Sequence, residues 1–182
     1  PERKFYDEKN IAASKKSVEG DVNNPVDLDN YRYTLYDRSS GMTSSDSNCI
    51  CETDDGYIWI GSYSGLTKYD GTSFTFLSDS GITNVTAMMK DREGALWIGT
   101  NDEGLIFIDK SNNDNSKTFS MENGLPNNSI RALVEDRDGN IWIGTASGIC
   151  YLDNNFNIVT PSGLEKYGDE KILVNDLYCD TA

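Results

Sequence analysis

The sequence predicts an all-β protein, a β-propeller fragment of about three four-stranded blades plus the first strand of a fourth. Three observations carry that reading. One phrase is written three times: DGYIWIGSYSGL at 55–66, EGALWIGTNDEGL at 93–105 and DGNIWIGTASGI at 138–149. Its tryptophans, Trp59, Trp97 and Trp142, recur at intervals of about 40 residues, the length of one propeller blade. A second motif, Gly followed by an apolar residue and then polar turn formers, recurs as SGMTSSDSN, SGITNVT, NGLPNNSI and SGLEKYGDEKILVN. It suits the crossing from one blade's rim to the next blade's innermost strand.

The elements follow in order within each unit. An inner strand precedes each acidic turn, as NCICE at 48–52, TAMMK at 86–90 and RALVE at 131–135, with a fourth copy, NDLYC, at 175–179. The turns DDG, REG and RDG place Gly where a hairpin needs a positive φ. They lead into YIWIG, ALWIG and NIWIG, apolar on successive residues, which marks a strand covered on both faces. In a propeller each sheet is sandwiched by two neighbours. Trp supplies a broad inter-blade contact, and the Gly after it is expected to let another backbone come close. Third strands are LTKYD, LIFID and ICYLD. Outer strands are FTFL at 74–77, KTFSM at 117–121 and FNIV at 156–159, with YRYTLYD at 31–37 as an outer strand lacking its own blade.

The expected organisation is an arm or linker over 1–29 and a partial propeller over 30–182, with blades near 46–77, 84–121 and 129–159 and a fourth beginning at 172–182. Propellers close with about four to eight blades. An arc of three leaves strand edges and Trp-bearing faces open, so it calls for missing blades of a parent chain or for self-association.

Composition narrows the function. The formal charge of −14 repels a nucleic-acid backbone and anionic lipid. No apolar run reaches the roughly 18 residues of a spanning helix, and no apolar signal-peptide core follows the N-terminus, so direct membrane insertion is not expected. The chain holds no histidine, which removes Ser–His–Asp and Cys–His catalysis and His-containing metal sites. Cys49, Cys51, Cys150 and Cys179 show no C-x-x-C spacing and read as buried free thiols. DRDGN at 136–140 has its Gly at the wrong place for an EF-hand loop. A plain hairpin in solvent is the expected role of the acidic turns, and neither metal nor cofactor is expected. GSYSG and GTNDEG lack the Lys of a phosphate loop.

Asp136, Gly139, Ile141, Trp142, Ile143, Gly144, Thr145 and Gly148, with Gly124, Leu125, Asn128 and Ile130, give the chain a resemblance to the two-component regulator propeller repeat. Over residues 31–182 it is similar to domains that this family places outside the cytoplasm in membrane-anchored bacterial receptors. Histidine kinase and response-regulator modules or diguanylate cyclase modules follow those domains, and carbohydrate ligands are implied for the gut-bacterial hybrid kinases. The pattern departs at Ser62, which replaces the usual Thr, at Ile149, which replaces Leu, and at Asp102 and Glu103, which lie in a loop one residue longer.

The loops between second and third strands differ where their flanking glycines stay in place, and variable side chains on a repeated frame are the expected ligand contacts. The candidates are Tyr63, Ser64, Asn101, Asp102, Glu103 and Ser147. Tyr63 could stack on a sugar face while Asn101 or Asp102 bonds its hydroxyls. The expected function is sensing of a carbohydrate, another small ligand or a protein partner, without catalysis. The alternatives are a propeller lyase or glycosidase working with carboxylates, and a structural interaction scaffold.

Overall fold

The computed structural model describes residues 34–44, 46–110, 112–163 and 172–180. The chain divides into two units, Pro1–Leu35 and Tyr36–Ala182. Of the first, only residues 34–35 are described, so the arm expected over 1–29 lies outside the described residues. The second unit carries every described strand.

Three antiparallel four-stranded sheets follow one another along the chain. Blade 1 holds β1 (Cys49–Glu52), β2 (Ile58–Ser62), β3 (Gly65–Tyr69) and β4 (Phe74–Phe76). Blade 2 holds β5 (Val85–Lys90), β6 (Leu96–Thr100), β7 (Leu105–Asp109) and β8 (Asn112–Phe119), and blade 3 holds β9 (Ile130–Glu135), β10 (Ile141–Thr145), β11 (Gly148–Leu152) and β12 (Ile158–Val159). Strand order equals chain order in each sheet, the up-and-down meander of a propeller blade. The fold is a partial β-propeller.

Register fixes which residues share a face. Trp59 lies opposite Cys51 and Lys68, Trp97 opposite Met89 and Phe107, and Trp142 opposite Val134 and Tyr151. Two apolar clusters fill the seams between sheets. Leu66, Val85, Leu96, Ile98 and Ile106 join blades 1 and 2, with Trp59 and Met88 packed against them. Trp97, Leu105, Phe107, Ile130, Ile143 and Leu152 lead the cluster joining blades 2 and 3.

The glycine after each Trp–Ile pair has a specific job. A Cβ on Gly61 would lie 2.5 Å from Val85 Cγ1, and one on Gly99 would lie 2.6 Å from Ile130 Cγ2. Gly144 makes the same notch for Val174. What enters is therefore an apolar side chain of the next inner segment, where the sequence suggested backbone. Each sheet is keyed to the segment that follows it by one β-branched residue.

Two expected strands take other forms. Residues 172–180 carry Val174 into the Gly144 notch and donate one backbone bond, Val174 N to Thr145 O at 3.1 Å, yet they form no strand. In the three blades the inner strand takes its ladder from the Trp-bearing strand, and residues 175–179 make no such ladder among the described residues. Residues 34–37 are not strand either, and 31–33 lie outside the described residues. Tyr36 instead packs its ring edge-on to Phe74 at 5.2 Å and tilted against Tyr69 at 5.4 Å.

Candidate functional site

Adjacent strands run antiparallel, so the β2–β3, β6–β7 and β10–β11 loops lie at the same end of their sheets as the crossings between blades. Each loop is closed by the same bond. The buried hydroxyls of Ser62, Thr100 and Thr145 donate to the carbonyls of Gly65, Gly104 and Gly148 at 3.1, 3.0 and 2.8 Å. Ser62 thus does what Thr does in the other copies. Between these fixed ends the candidate side chains emerge.

Tyr63 is 63% exposed, and its carbonyl accepts from Asn84 N at 3.0 Å. Ser64 is exposed beside it. Asn101, Asp102 and Glu103 are exposed on the longer loop. Asn101 Oδ1 accepts from Ser129 Oγ at 2.9 Å, and Asp102 Oδ2 accepts from Asn84 Nδ2 at 2.8 Å. Glu103 N donates to Thr100 Oγ1 at 2.9 Å. Ser147 is half-buried, its N–H donating to Thr145 Oγ1 at 3.1 Å.

The structure joins the first two loops through a residue that the variability argument passed over. Asn84, in the left-handed region at φ 50°, donates to Tyr63 O, accepts from Asn101 N at 2.9 Å and holds Asp102 by its amide. Asn tolerates that conformation better than other non-glycine residues. Ser129 acts similarly in the next crossing, accepting from Ala146 N at 2.9 Å while its hydroxyl reaches Asn101. Both residues sit in the crossing motif just before an inner strand, which is the signal that could have found them. Tyr63, Asn101 and Asp102 share the Asn84 network; Ser147 belongs to the blade 3 loop.

At the opposite end, the acidic turns do more than solvate a hairpin. Asp91 is buried, with Oδ2 accepting from Trp97 Nε1 at 2.7 Å and Oδ1 from the N–H groups of Glu93 and Ala95 at 3.0 and 2.8 Å. Asp136 repeats the arrangement on Trp142 at 2.8 Å and on Asp138 and Asn140 at 2.9 Å each. In blade 1 Thr53 Oγ1 takes the indole at 3.1 Å. The expectation of solvated turns is corrected at Asp91 and Asp136: the carboxylate satisfies a donor that burial of the indole would otherwise orphan. Burial raises the Asp136 pKa, but bonds from Asn140 and Trp142 outweigh it and hold the carboxyl below its ordinary value.

Arginines stitch these turns across the seams. Arg92 pairs with Glu135 at 2.7 Å, donates to Arg137 O at 2.8 Å and also bonds Asp136 O. Arg137 reaches Asp180 O at 3.2 Å in the matching place of the next segment. In blade 1 the position belongs to Asp54, which takes Lys90 from blade 2. Cys150 is fully buried, its thiol pushed up to about 12 by burial, and half-buried Cys49 is pushed up to about 11 for the same first reason. The expectation of buried thiols holds at Cys150, while Cys49, Cys51 and Cys179 are half-buried.

With three keyed sheets, indole-capping acids and glycine-bounded loops in place, comparison decides the family. Residues 41–64, 79–102 and 124–147 match the sequence profile of the two-component regulator propeller. The chain carries three two-component regulator propeller repeats. Solved structures agree. The extracellular domain of a hybrid two-component system from B. thetaiotaomicron is similar at 25% identity and a TM-score of 0.70, over 82% of this chain and 21% of that one. The extracellular domain of a one-component system from the same organism aligns at 23% identity and TM-score 0.57, over 66% of this chain and 19% of the other. A streptogramin B lyase shares the fold at 17% identity and TM-score 0.51, over 64% of this chain and 41% of that one. No curated protein matches the chain significantly. The chain spans about a fifth of the length of the two extracellular domains. This propeller is thus of the type found in the extracellular sensors of two-component regulators. Among the described residues, no helix is long and apolar enough to cross a membrane.

Proposed function

We propose that this regulator propeller forms part of an extracytoplasmic sensor of a membrane-anchored bacterial receptor, binding a small ligand or a partner at its loop face without turning it over. The observation that carries the reading is the Asn84 network, which fixes Tyr63, Asn101 and Asp102 on one face while the loops themselves vary in sequence. Carbohydrate fits that chemistry: an exposed phenol offers a stacking face, and a carboxylate and an amide offer hydroxyl partners. A ligand bridging the Tyr63 and Asn101 loops would favour one packing of blades 1 and 2. An output module, kinase or diguanylate cyclase, would read that bias, provided the ligand binds the two arrangements with different affinity.

Nuclear magnetic resonance titration of the chain with a panel of oligosaccharides tests this. The expected result is saturable shifts of the amides at Tyr63, Asn101 and Asp102, lost in Tyr63→Ala and Asn101→Ala, with the sugar recovered intact. Cleavage or elimination of the sugar would overturn binding without catalysis. Shifts confined to other surfaces would overturn the loop face.

A further inference from the structure

The loop between β6 and β7 is pinned from two crossings, and the pins commit particular atoms. Ser129, in the crossing to blade 3, donates its hydroxyl to Asn101 Oδ1 at 2.9 Å. Asn84, in the crossing from blade 1, donates its amide to Asp102 Oδ2 at 2.8 Å. The backbone between them is held as well, with Asn101 N donating to Asn84 O and Glu103 N to Thr100 Oγ1, each at 2.9 Å. Both side chains are exposed, and among the described residues Asn101 Nδ2 and Asp102 Oδ1 are left without a partner.

An amide nitrogen only donates, and an ionised carboxylate only accepts. The loop therefore shows solvent a donor and an acceptor on consecutive residues. A ligand hydroxyl can play either part, so a diol satisfies this pair in any order and gives it nothing to discriminate. A secondary amide differs: its C=O accepts, its N–H donates, and the planar unit fixes the two relative to each other. Tyr63, 63% exposed on the neighbouring loop and tied to the same Asn84 through its carbonyl, offers a ring to the apolar side of such a group. The segments that bound the site, 62–65, 78–84, 100–104 and 120–129, carry Asp79, Asp102, Glu103 and Glu122 and no Lys or Arg. An anionic substituent is repelled there.

Building on the loop-face reading above, we propose that the site selects carbohydrates by an acetamido substituent, whose carbonyl accepts from Asn101 Nδ2 and whose N–H donates to Asp102 Oδ1. Tyr63 packs beside the same substituent. Ser129 and Asn84 are positioning residues: they act through Asn101 and Asp102 by setting which atom of each faces the ligand.

The test compares cellotriose, triacetylchitotriose and the deacetylated glucosamine trimer, which share one frame and differ in one substituent per ring: hydroxyl, acetamido or ammonium. Nuclear magnetic resonance titration of the full chain, read at the amides of Tyr63, Asn101 and Asp102, should show triacetylchitotriose binding about 10-fold tighter than cellotriose, a difference of about 1.4 kcal/mol. Two isosteric exchanges then reverse one polarity each. Asn101→Asp sets an oxygen against the ligand carbonyl, and Asp102→Asn, held by Asn84 through its own oxygen, sets an NH2 against the ligand N–H. Each should bring the ratio of the two affinities close to one, because hydroxyls adapt and an amide does not. Ser129→Ala frees the Asn101 amide to turn and should lower the ratio, with Ser129→Thr restoring it. If Ser129→Ala proves unfolded by circular dichroism, the isosteric exchanges decide alone. Equal binding of cellotriose, tighter binding of the glucosamine trimer, or an unchanged ratio in both exchanges overturns the acetamido reading and leaves the loop face standing. Absence of shifts with triacetylchitotriose up to about 10 mM, beyond weak millimolar affinity, overturns it too, and the loop face then stands or falls with the other sugars. Shifts confined to other surfaces overturn both.

Discussion

At the scale of single residues, the indole acceptors set the stability of the turns. Asp91→Ala removes the partner of Trp97 Nε1 and of two backbone N–H groups in a buried site. It is expected to cost about 2–3 kcal/mol, against about 1 kcal/mol for Thr53→Ala, whose hydroxyl is a neutral partner to a half-buried indole. Urea midpoints at constant m-value measure both, and equal costs would refute the argument. Asp136 adds a pH dependence. Its folded pKa lies below the ordinary 3.8, so its contribution is full above that value and is lost as pH falls through the lower, folded one. Asp55 and Asp153 shift the same way, led by bonds from Thr53 and Asn157 respectively. The urea midpoint should be flat from neutrality to about pH 5 and fall below about pH 4, with a shallower fall in Asp136→Asn. An equally steep acid limb in that variant would remove Asp136 from the account. Burial of Cys150 predicts that a neutral-pH alkylating reagent leaves it unmodified in the folded chain and labels it once urea is added. Mass spectrometry of the peptide holding Cys150 reads the outcome, and prompt labelling without denaturant would contradict its burial.

At the scale of elements, the notch-and-key contact is the repeated unit of assembly, and Gly99 is its best-defined example. An added methyl meets Ile130 at both Cγ2 and Cβ, so Gly99→Ala should destabilise by about 1–3 kcal/mol through overpacking. Ile130→Ala should cost about 2–5 kcal/mol by leaving a cavity. Together they should cost at least about 1 kcal/mol less than their sum, because each relieves the other. Strict additivity would mean that the two residues do not share a seam. Much of this level was legible in the sequence. Continuous apolarity in ALWIG marked a strand covered on both faces, and β6 is buried along its whole length. The aspartate six residues before Trp97 and Trp142 was visible too, but Thr53 in the first copy hid the rule, and only coordinates show a carboxylate turned onto an indole. Phe156 gave no signal, since DNNFN occurs once and reads as a polar turn; its ring meets those of Trp97, Phe107 and Phe119 only when blade 3 packs on blade 2. The loop candidates were legible from their fixed glycines. Asn84 was not, because its partners are distant in the chain and meet only when two blades dock.

At the scale of the whole molecule, the described blades have unequal company. Blade 2 has a packed sheet on each face, and Trp97 is 3% exposed. Blade 1 meets one sheet through a seam with Lys68 and Ser116 in place of apolar groups, and Trp59 and Trp142 are half-buried. Ile50 is 67% exposed, while its counterparts Met88 and Leu133 pack against seams. In repeat architectures stability is close to a sum of intrinsic and neighbour-interface terms, so a unit with one weaker interface opens at lower free energy than a unit with two. Amide hydrogen exchange should therefore be slowest in β6 (Leu96–Thr100), intermediate in β10 (Ile141–Thr145) and fastest of the three in β2 (Ile58–Ser62), although all three are second strands of the same design. Equal protection of β2 and β6 in the free chain would show that the sheets open as one cooperative body, and neighbour number would then not govern stability here.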